Sequence, residues 1–316
     1  MRRIFAGPTG AVAGNLKAVA GSVAKGTVAQ TRTLTIIDTH THFYDPTRAQ
    51  GVPWPPKDDP LLYRRVLPEH YRALPKPSPV AGTVVVEASP LIDDNEWILD
   101  LAAGDPFIVG FVGNLPVGNG DFLRHLNNFS HNPIFRGIRL NEEKIKTGIG
   151  TEPFMGDLRL LADYGLALDV LIGPSALESV ARLAREVPHL RIVIDHVANT
   201  KIDGKAVDSH WHDGMKAAAH EPNVFCKVSG LVEGTGREDG KAPKDLGYYV
   251  PVLDAVWELF GEDRVIYGSN WPVSERFASC ETVQQIVTDY FQTKGAGASQ
   301  KYFSRNASNV YNWVRR

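Results

Sequence analysis

The chain has 316 residues, of which 43% are apolar and 22% are charged, a composition typical of globular proteins and unlike that of disordered chains. Its 34 Lys and Arg residues nearly balance 36 Asp and Glu residues, giving a net charge of -2, so charge does not favour nucleic acid as a partner. The two cysteines, Cys226 and Cys280, are too few for a disulfide scaffold and lack zinc-site spacing.

Residues 1–33 are rich in small and apolar residues and carry paired arginines, Arg2 and Arg3. Paired arginines ahead of such a run are a feature of twin-arginine export signals. Lys17 and Asn15 interrupt the run, which favours a simple N-terminal extension. We therefore predict a cytoplasmic protein, with export as the alternative. The sequence contains no stretch of about 20 apolar residues that predicts a membrane span.

From Thr35 onward, short β-branched segments alternate with longer segments whose apolar residues recur every three or four positions. This alternation predicts strands and helices in turn. The predicted strands are Thr35–His42, Thr83–Ala88, Phe107–Gly113, Phe135–Asn141, Leu166–Ile172, Arg191–Val197, Val224–Ser229 and Arg264–Ser269. The predicted helices are Asp94–Ala103, Asp121–Phe129, Glu152–Tyr164, Ala176–Glu186, His210–Ala219, Tyr249–Phe260, Thr282–Thr293 and Ser299–Trp313.

Eight strands that are each followed by a crossover helix predict parallel pairing with right-handed connections. Such units close into a (β/α)₈ TIM barrel, here a single domain over residues 34–316. The rival fold is an open doubly wound sheet, which would call for a Gly-rich phosphate loop after the first strand. That strand instead ends in Asp38-Thr39-His40-Thr41-His42, so we predict the barrel.

The longest irregular segment, Asp45–Pro79, follows the first strand and contains Trp54, Tyr63, Tyr71 and several prolines. In a barrel this loop lies over the active face. Two interpretations stay open, a rigid surface loop and a substrate lid with aromatic walls.

Polar residues end nearly every predicted strand, where a simple barrel needs only apolar ones. His40 and His42 share a face of the first strand and suit either metal binding or an anionic substrate. The set as a whole predicts a polar pocket over an apolar barrel, although Lys227 also suits an ion pair with Glu87 or Asp169. The other polar residues at the predicted strand ends are Asn114, Arg139, Asn141, Asp195, His196, Ser229, Ser269, Asn270 and Trp271.

Four segments at successive strand ends resemble the amidohydrolase superfamily, most closely its sugar-lactonase branch. That branch includes fuconolactonase- and rhamnonolactonase-like proteins and is related to 2-pyrone-4,6-dicarboxylate lactonase. The resemblance extends over about residues 35–314 and implies a (β/α)₈ barrel that hydrolyses a cyclic ester or a related carbonyl substrate. The segments are Asp38–His42, Arg191–His196, Lys227–Leu231 and Tyr267–Val273, and Phe303–Ala307 with Tyr311 also fits.

Two departures from the superfamily pattern concern the metal and the base. Many members have a fifth-strand histidine ligand, where this chain has Asp169 and Leu171, an absence that the lactonase branch shares. The usual eighth-strand Asp is Asn270, and an amide neither takes a proton at neutral pH nor binds zinc well. A binuclear metal site is therefore not expected. The sequence leaves open a single zinc on three histidines (His40, His42 and His196) and a site without metal.

Lactone opening requires an activated water, a polarised carbonyl and a place for the oxyanion. We predict that His40 and His42 polarise the carbonyl directly or through a metal, that His196 is the base, and that Asn270 positions water or substrate. Arg139 and Lys227 are predicted to bind substrate oxygens. The remaining predicted substrate contacts are Glu87, Asn141, Ser229 and Trp271.

Two other functions are consistent with the same residues. One is a metal-dependent decarboxylase of the same superfamily, and the other is a barrel that binds a sugar acid without catalysis. The sequence does not determine the substrate or the oligomeric state.

Overall fold

The computed structural model describes Gly10 and residues 34–316. The predictions of an extension or export signal over residues 1–33 lie outside the described residues. The remaining chain, Leu34–Arg316, is one compact unit. In the part of the chain that the structure describes, no helix has the length and apolar character to cross a membrane.

Eight parallel strands form one sheet in the order β1 to β8, which confirms the predicted barrel. The strands are Ile37–Thr41 (β1), Gly82–Val86 (β2), Ile108–Gly113 (β3), Phe135–Asn141 (β4), Ala167–Leu171 (β5), Arg191–Ile194 (β6), Val224–Val228 (β7) and Val265–Tyr267 (β8). The ring closes where the Asn270 N–H donates to the His40 carbonyl at 2.8 Å, and the His42 N–H donates to the Trp271 carbonyl at 2.9 Å.

Helices follow the strands as the apolar spacing predicted, and two further short helices, Pro68–Ala73 and Glu142–Gly148, were not predicted. They are Pro68–Ala73 (α1), Asp93–Gly104 (α2), Phe122–Ser130 (α3), Glu142–Gly148 (α4), Glu152–Asp163 (α5), Leu177–Glu186 (α6), Ser209–Ala219 (α7), Val250–Phe260 (α8), Cys280–Thr293 (α9), Ala296–Gln300 (α10) and Asn306–Tyr311 (α11). Helix α9 begins two residues before its predicted start because the Ser279 side chain accepts from the Thr282 N–H.

Three local differences from the predicted elements have physical causes. The long loop Asp45–Pro79 contains α1, a short helix whose first residue is a proline. The predicted last helix, Ser299–Trp313, is divided by a wider turn over Lys301–Arg305. The predicted strand Arg191–Val197 ends at Ile194, because a left-handed turn begins two residues later.

A large apolar core packs the helices against the outside of the barrel. The Val-rich strands are buried on both faces, as parallel strands covered by helices are. A smaller cluster joins Val84, Val86 and Val193 to Val310 and Tyr311 of α11. The C-terminal helix therefore anchors the barrel, and the carboxyl ends of the strands carry the polar groups.

Candidate active site

Three imidazoles meet at the carboxyl ends of β1 and β6. The ring centroids of His40 and His42 are 5.0 Å apart, and those of His40 and His196 are 4.3 Å apart. All three side chains are buried. They converge because parallel strands of a closed barrel end at the same rim.

The segment His196–Asn199 that carries the third imidazole is a left-handed turn. Its four residues have φ between 46° and 56°, a region that costs a non-glycine residue roughly 1–2 kcal/mol. The turn is held by the Trp211 indole N–H, which donates to the Val197 carbonyl at 2.8 Å, and by the Asn199 amide, which donates to the Ile172 carbonyl at 2.9 Å. Strained backbone at the rim places His196 against His40 and over the cavity.

Beneath the imidazoles lies a buried charge cluster centred on Lys227. Its ammonium is 2.6 Å from Asp169 Oδ2, 3.0 Å from Asp195 Oδ1 and 3.2 Å from His40 Nδ1. Burial opposes ionisation, but the Lys227 charge holds the pKa of Asp195 well below its usual range, and Asp169 and Asp195 raise the pKa of Lys227. Lys227 is fully buried and its charge is neutralised inside the protein. The ion pair with Asp169 that the sequence allowed is observed, and Lys227 is not among the residues that line the cavity above the cluster.

Burial keeps the histidines of the site neutral. Loss of solvent lowers the pKa of His42 to about 3 and that of His196 to about 4, and lowers the pKa of His40 well below its usual range. The His42 Nδ1–H donates to the Val86 carbonyl at 2.9 Å, and His196 Nδ1 is 2.8 Å from Ser229 Oγ. Ser229 holds His196 at Nδ1, which leaves Nε2 of that ring to interact with a ligand, whereas His42 is also in hydrogen-bond contact with Asn270.

A cavity of about 420 Å³ opens above the cluster. Four of the predicted site residues line it, together with Trp54 from the long loop after β1. The lining residues are His42, Trp54, Ala88, Arg139, Leu171, His196, Asn199, Glu233, Asn270, Val273 and Phe277.

Arg139 is held in the cavity wall by Glu87. Its Nε donates to Glu87 Oε1 at 2.8 Å, and its Nη2 donates to the Glu87 carbonyl at 2.7 Å. Glu87 itself is not among the residues that line this cavity. The pair presents one fixed guanidinium to whatever occupies the cavity.

Glu233 is a site residue that the sequence analysis missed. It lies in a short turn after β7, and its Oε1 accepts from Asn270 Nδ2 at 2.9 Å. Burial raises the pKa of Glu233 to about 7. Glu233 lies beyond the end of the predicted strand, so its position gave no strand-end signal that could identify it. It follows the Lys227–Leu231 segment by only two residues.

Other predicted site residues lie away from the cavity. Asn141 is exposed and caps α4, where its side chain accepts from the Lys144 N–H at 3.0 Å. Trp271 is fully buried and donates to Glu275 Oε1 at 2.7 Å. Ser229 acts on His196 rather than facing the cavity. For Asn141 and Trp271, the prediction of a substrate contact is not consistent with these positions.

The residues present fit a divalent cation. His40, Asp195 and His196 offer ligand atoms within 4.8 Å of one another. Within the described chain, His40 Nε2 is a buried atom without a hydrogen-bond partner. Two neutral imidazoles and a carboxylate are a donor set that zinc accepts. Asp195 takes the place in this set that the sequence analysis gave to His42, because it lies beside His40 at 3.4 Å.

Comparison with known proteins places this geometry in a family. A model of the amidohydrolase family matches residues 37–313. An L-fucono-1,5-lactonase of Burkholderia ambifaria is 35% identical over 240 residues, which cover 75% of this chain and 80% of that protein. An L-rhamnono-gamma-lactonase of Scheffersomyces stipitis is 23% identical over 63% of this chain and 66% of that protein.

The barrel also resembles solved structures. An amidohydrolase of Burkholderia multivorans, crystallised with bound zinc, superposes with a TM-score of 0.76 at 24% identity, covering 88% of this chain and 99% of that chain. At this level of identity the likeness establishes the fold alone.

Proposed function

Because the chain belongs to the amidohydrolase family, we propose that it opens the lactone ring of a sugar acid by attack of water. The observation that carries the proposal is the cavity of about 420 Å³, which combines neutral imidazoles, a fixed guanidinium and a carboxyl group. Cavities of roughly 300–1,000 Å³ suit small-molecule ligands. Its similarity to an L-fucono-1,5-lactonase supports the choice of a sugar lactone.

Different residues of the cavity wall bind the substrate and polarise its carbonyl group. The Arg139 guanidinium, aligned by Glu87, stabilises the negative charge that develops on the carbonyl oxygen. His196 faces the cavity with Nε2 while Ser229 holds its Nδ1. The neutral His42 ring, fixed by the Val86 carbonyl, presents Nε2 to a substrate hydroxyl. His40 is fully buried behind these residues, so it would polarise the carbonyl through a bound metal.

A divalent metal held by His40, His196 and Asp195 would supply a Lewis acid for the same carbonyl. The Lys227 ammonium, 3.0 Å from Asp195 Oδ1, competes for that carboxylate, so we expect an ion that chelators remove. Added zinc should then raise the melting temperature of the chelator-treated protein. The variant His196→Ala should lose this shift, whereas the exposed His220→Ala variant should keep it. An equal shift in both variants would place zinc elsewhere.

The direct test of the proposal is a panel of 1,4- and 1,5-lactones of sugar acids, followed by acid release in a weakly buffered indicator assay. We expect turnover of at least one lactone, with strong preference among the epimers. If the folded protein binds sugar acids, as seen by thermal shift, but opens none of the lactones in either metal-loaded or chelator-treated form, the proposal fails in favour of a binding protein.

A further inference from the structure

We infer that Glu233 is the general base of this site and removes the proton from the attacking water. The inference rests on the proposed lactone hydrolysis. It also explains how a barrel with Asn270 at the end of its eighth strand can still carry out that chemistry.

The position of Glu233 carries the inference. Its turn follows β7, next to the segment that closes the ring, and its side chain reaches the same cavity wall as His42 and His196. Oε1 is held by the Asn270 amide at 2.9 Å. Oε2 is buried and has no hydrogen-bond partner among the residues the structure describes. A carboxyl group with one oxygen anchored and the other unpaired can take a proton from a water molecule that binds beside it.

The cavity offers no equivalent group. Among the lining residues in the described chain, Glu233 is the only one with a carboxyl group. Asn270 is an amide and accepts no proton at neutral pH. Asp195 is fully buried and paired with Lys227. His196, the base that the sequence predicted, is a neutral ring whose protonation is disfavoured by burial.

The electrostatics of the site suit Glu233 to this role. Burial raises the pKa of Glu233 to about 7, while the hydrogen bonds it accepts lower it. A base works best when its pKa lies near the operating pH. The ionisable groups that line the same cavity are His42 just after β1, Arg139 from β4 and His196 after β6, and the charge of Glu233 also acts on Tyr249 beside α8. Among these groups only Arg139 is charged at neutral pH, so few neighbouring charges act on the pKa of Glu233.

The reaction balances with Glu233 in this position. Oε2 takes one proton from water as the water oxygen bonds to the lactone carbonyl carbon, and the carbonyl electron pair moves onto its oxygen beside Arg139. When that pair returns, the bond between the carbonyl carbon and the ring oxygen breaks. The ring oxygen receives the proton from Glu233 and becomes a hydroxyl group. The product is the open hydroxy acid, which is the lactone plus one water.

The experiment compares Glu233→Gln with Glu238→Gln, an exposed glutamate in the same loop. With a lactone that the wild type opens, we expect Glu233→Gln to lower kcat at least about 100-fold and to remove the limb of the pH profile that rises through about pH 7. Glu238→Gln should keep both. The double variant Glu233→Gln with Asn270→Asp returns a carboxylate to the same hydrogen-bonded pair. We expect its kcat to be at least about tenfold higher than that of Glu233→Gln.

Four outcomes are decisive. Wild-type kcat and the same pH limb in Glu233→Gln would overturn the inference, as would loss of activity accompanied only by a higher KM. Loss of the limb in His196→Ala, with Glu233→Gln unchanged, would return the role to His196. If the wild type opens no lactone, the proposed function fails, and infrared difference spectra decide separately whether Glu233 is a carboxyl group that titrates near pH 7.

Discussion

Lys227 shows how a single side chain can organise the floor of the site. Its ammonium contacts Asp169, Asp195 and His40 at distances of 2.6 to 3.2 Å, one acceptor for each of its three donors. Tyr311 completes the cluster by donating to Asp169 Oδ1 at 2.8 Å. The lysine thus links β5, β6, β7 and β1 below the cavity.

Replacing Lys227 with methionine should therefore destabilise the barrel. The change leaves two buried carboxylates without their cation, and breaking a buried ion pair in this way costs roughly 3–5 kcal/mol. We expect that loss in the free energy of unfolding, measured with urea in the presence of chelator. The matched variant Lys216→Met, at an exposed position of α7, should stay within about 0.5 kcal/mol of wild type. Equal stabilities for the two variants would contradict the role given to the cluster.

At the scale of elements, short connections secure the strand ends. Helix α4 begins at Glu142, whose Oε2 accepts from the Gly173 N–H at 2.7 Å and whose Oε1 accepts from Ser175 Oγ at 2.7 Å. Lys146 binds the same carboxylate. One glutamate therefore ties the loop after β4 to the loop after β5, next to the wall that carries Arg139.

The hydrogen bonds of the Glu142 carboxylate should make the free energy of unfolding depend on pH. Hydrogen bonds from Lys146, Gly173 and Ser175 lower the pKa of Glu142 from 4.5 to about 2. Because the folded-state pKa is the lower one, its stabilisation is complete above about pH 4.5 and is lost as the pH falls through 2. After allowance for solvent screening, we expect Glu142→Gln to cost about 1–2 kcal/mol at pH 7 and almost nothing near pH 2. Urea titrations beside the exposed Glu143→Gln would measure this, and a cost independent of pH would refute it.

At the scale of the whole molecule, the segment Asp45–Pro79 connects the first and last strands across the top of the barrel. Arg276 Nη2 donates to Asp59 Oδ2 at 2.5 Å, and Arg64 pairs with Glu275. Trp54 packs on His42 with ring centroids 5.8 Å apart and lines the cavity. These contacts favour the interpretation of this segment as a wall of the substrate site.

Trp54→Ala should consequently weaken substrate binding more than catalysis. The indole covers the cavity but offers no group to the reacting atoms, so we expect KM to rise about tenfold, equivalent to about 1.4 kcal/mol, with kcat within about twofold. Steady-state kinetics on the preferred lactone provide the measurement. Trp313→Ala, at a position outside the cavity wall, is the control. A drop in kcat at constant KM would instead give Trp54 a part in the chemical step.

The sequence by itself determined the barrel and the rim that bears the histidines. Short β-branched strands followed by amphipathic segments leave few topologies, and side-chain alternation put His40 and His42 on one face. These inferences depend on local spacing, which neighbouring residues determine. The cap at Asn141 was also a local feature, but an asparagine at a strand end suits a pocket and a helix cap equally well.

Only the tertiary structure decided which polar groups face the cavity and which neutralise one another. Lys227 meets Asp169 across 58 positions of sequence, and Glu233 meets Asn270 across 37. Both pairs arise because strands far apart in the sequence end at the same rim of the barrel, within hydrogen-bonding distance of one another. Whether a buried charge is free to act depends on that three-dimensional pairing and on loss of solvent, and neither is encoded in the spacing of residues along the chain.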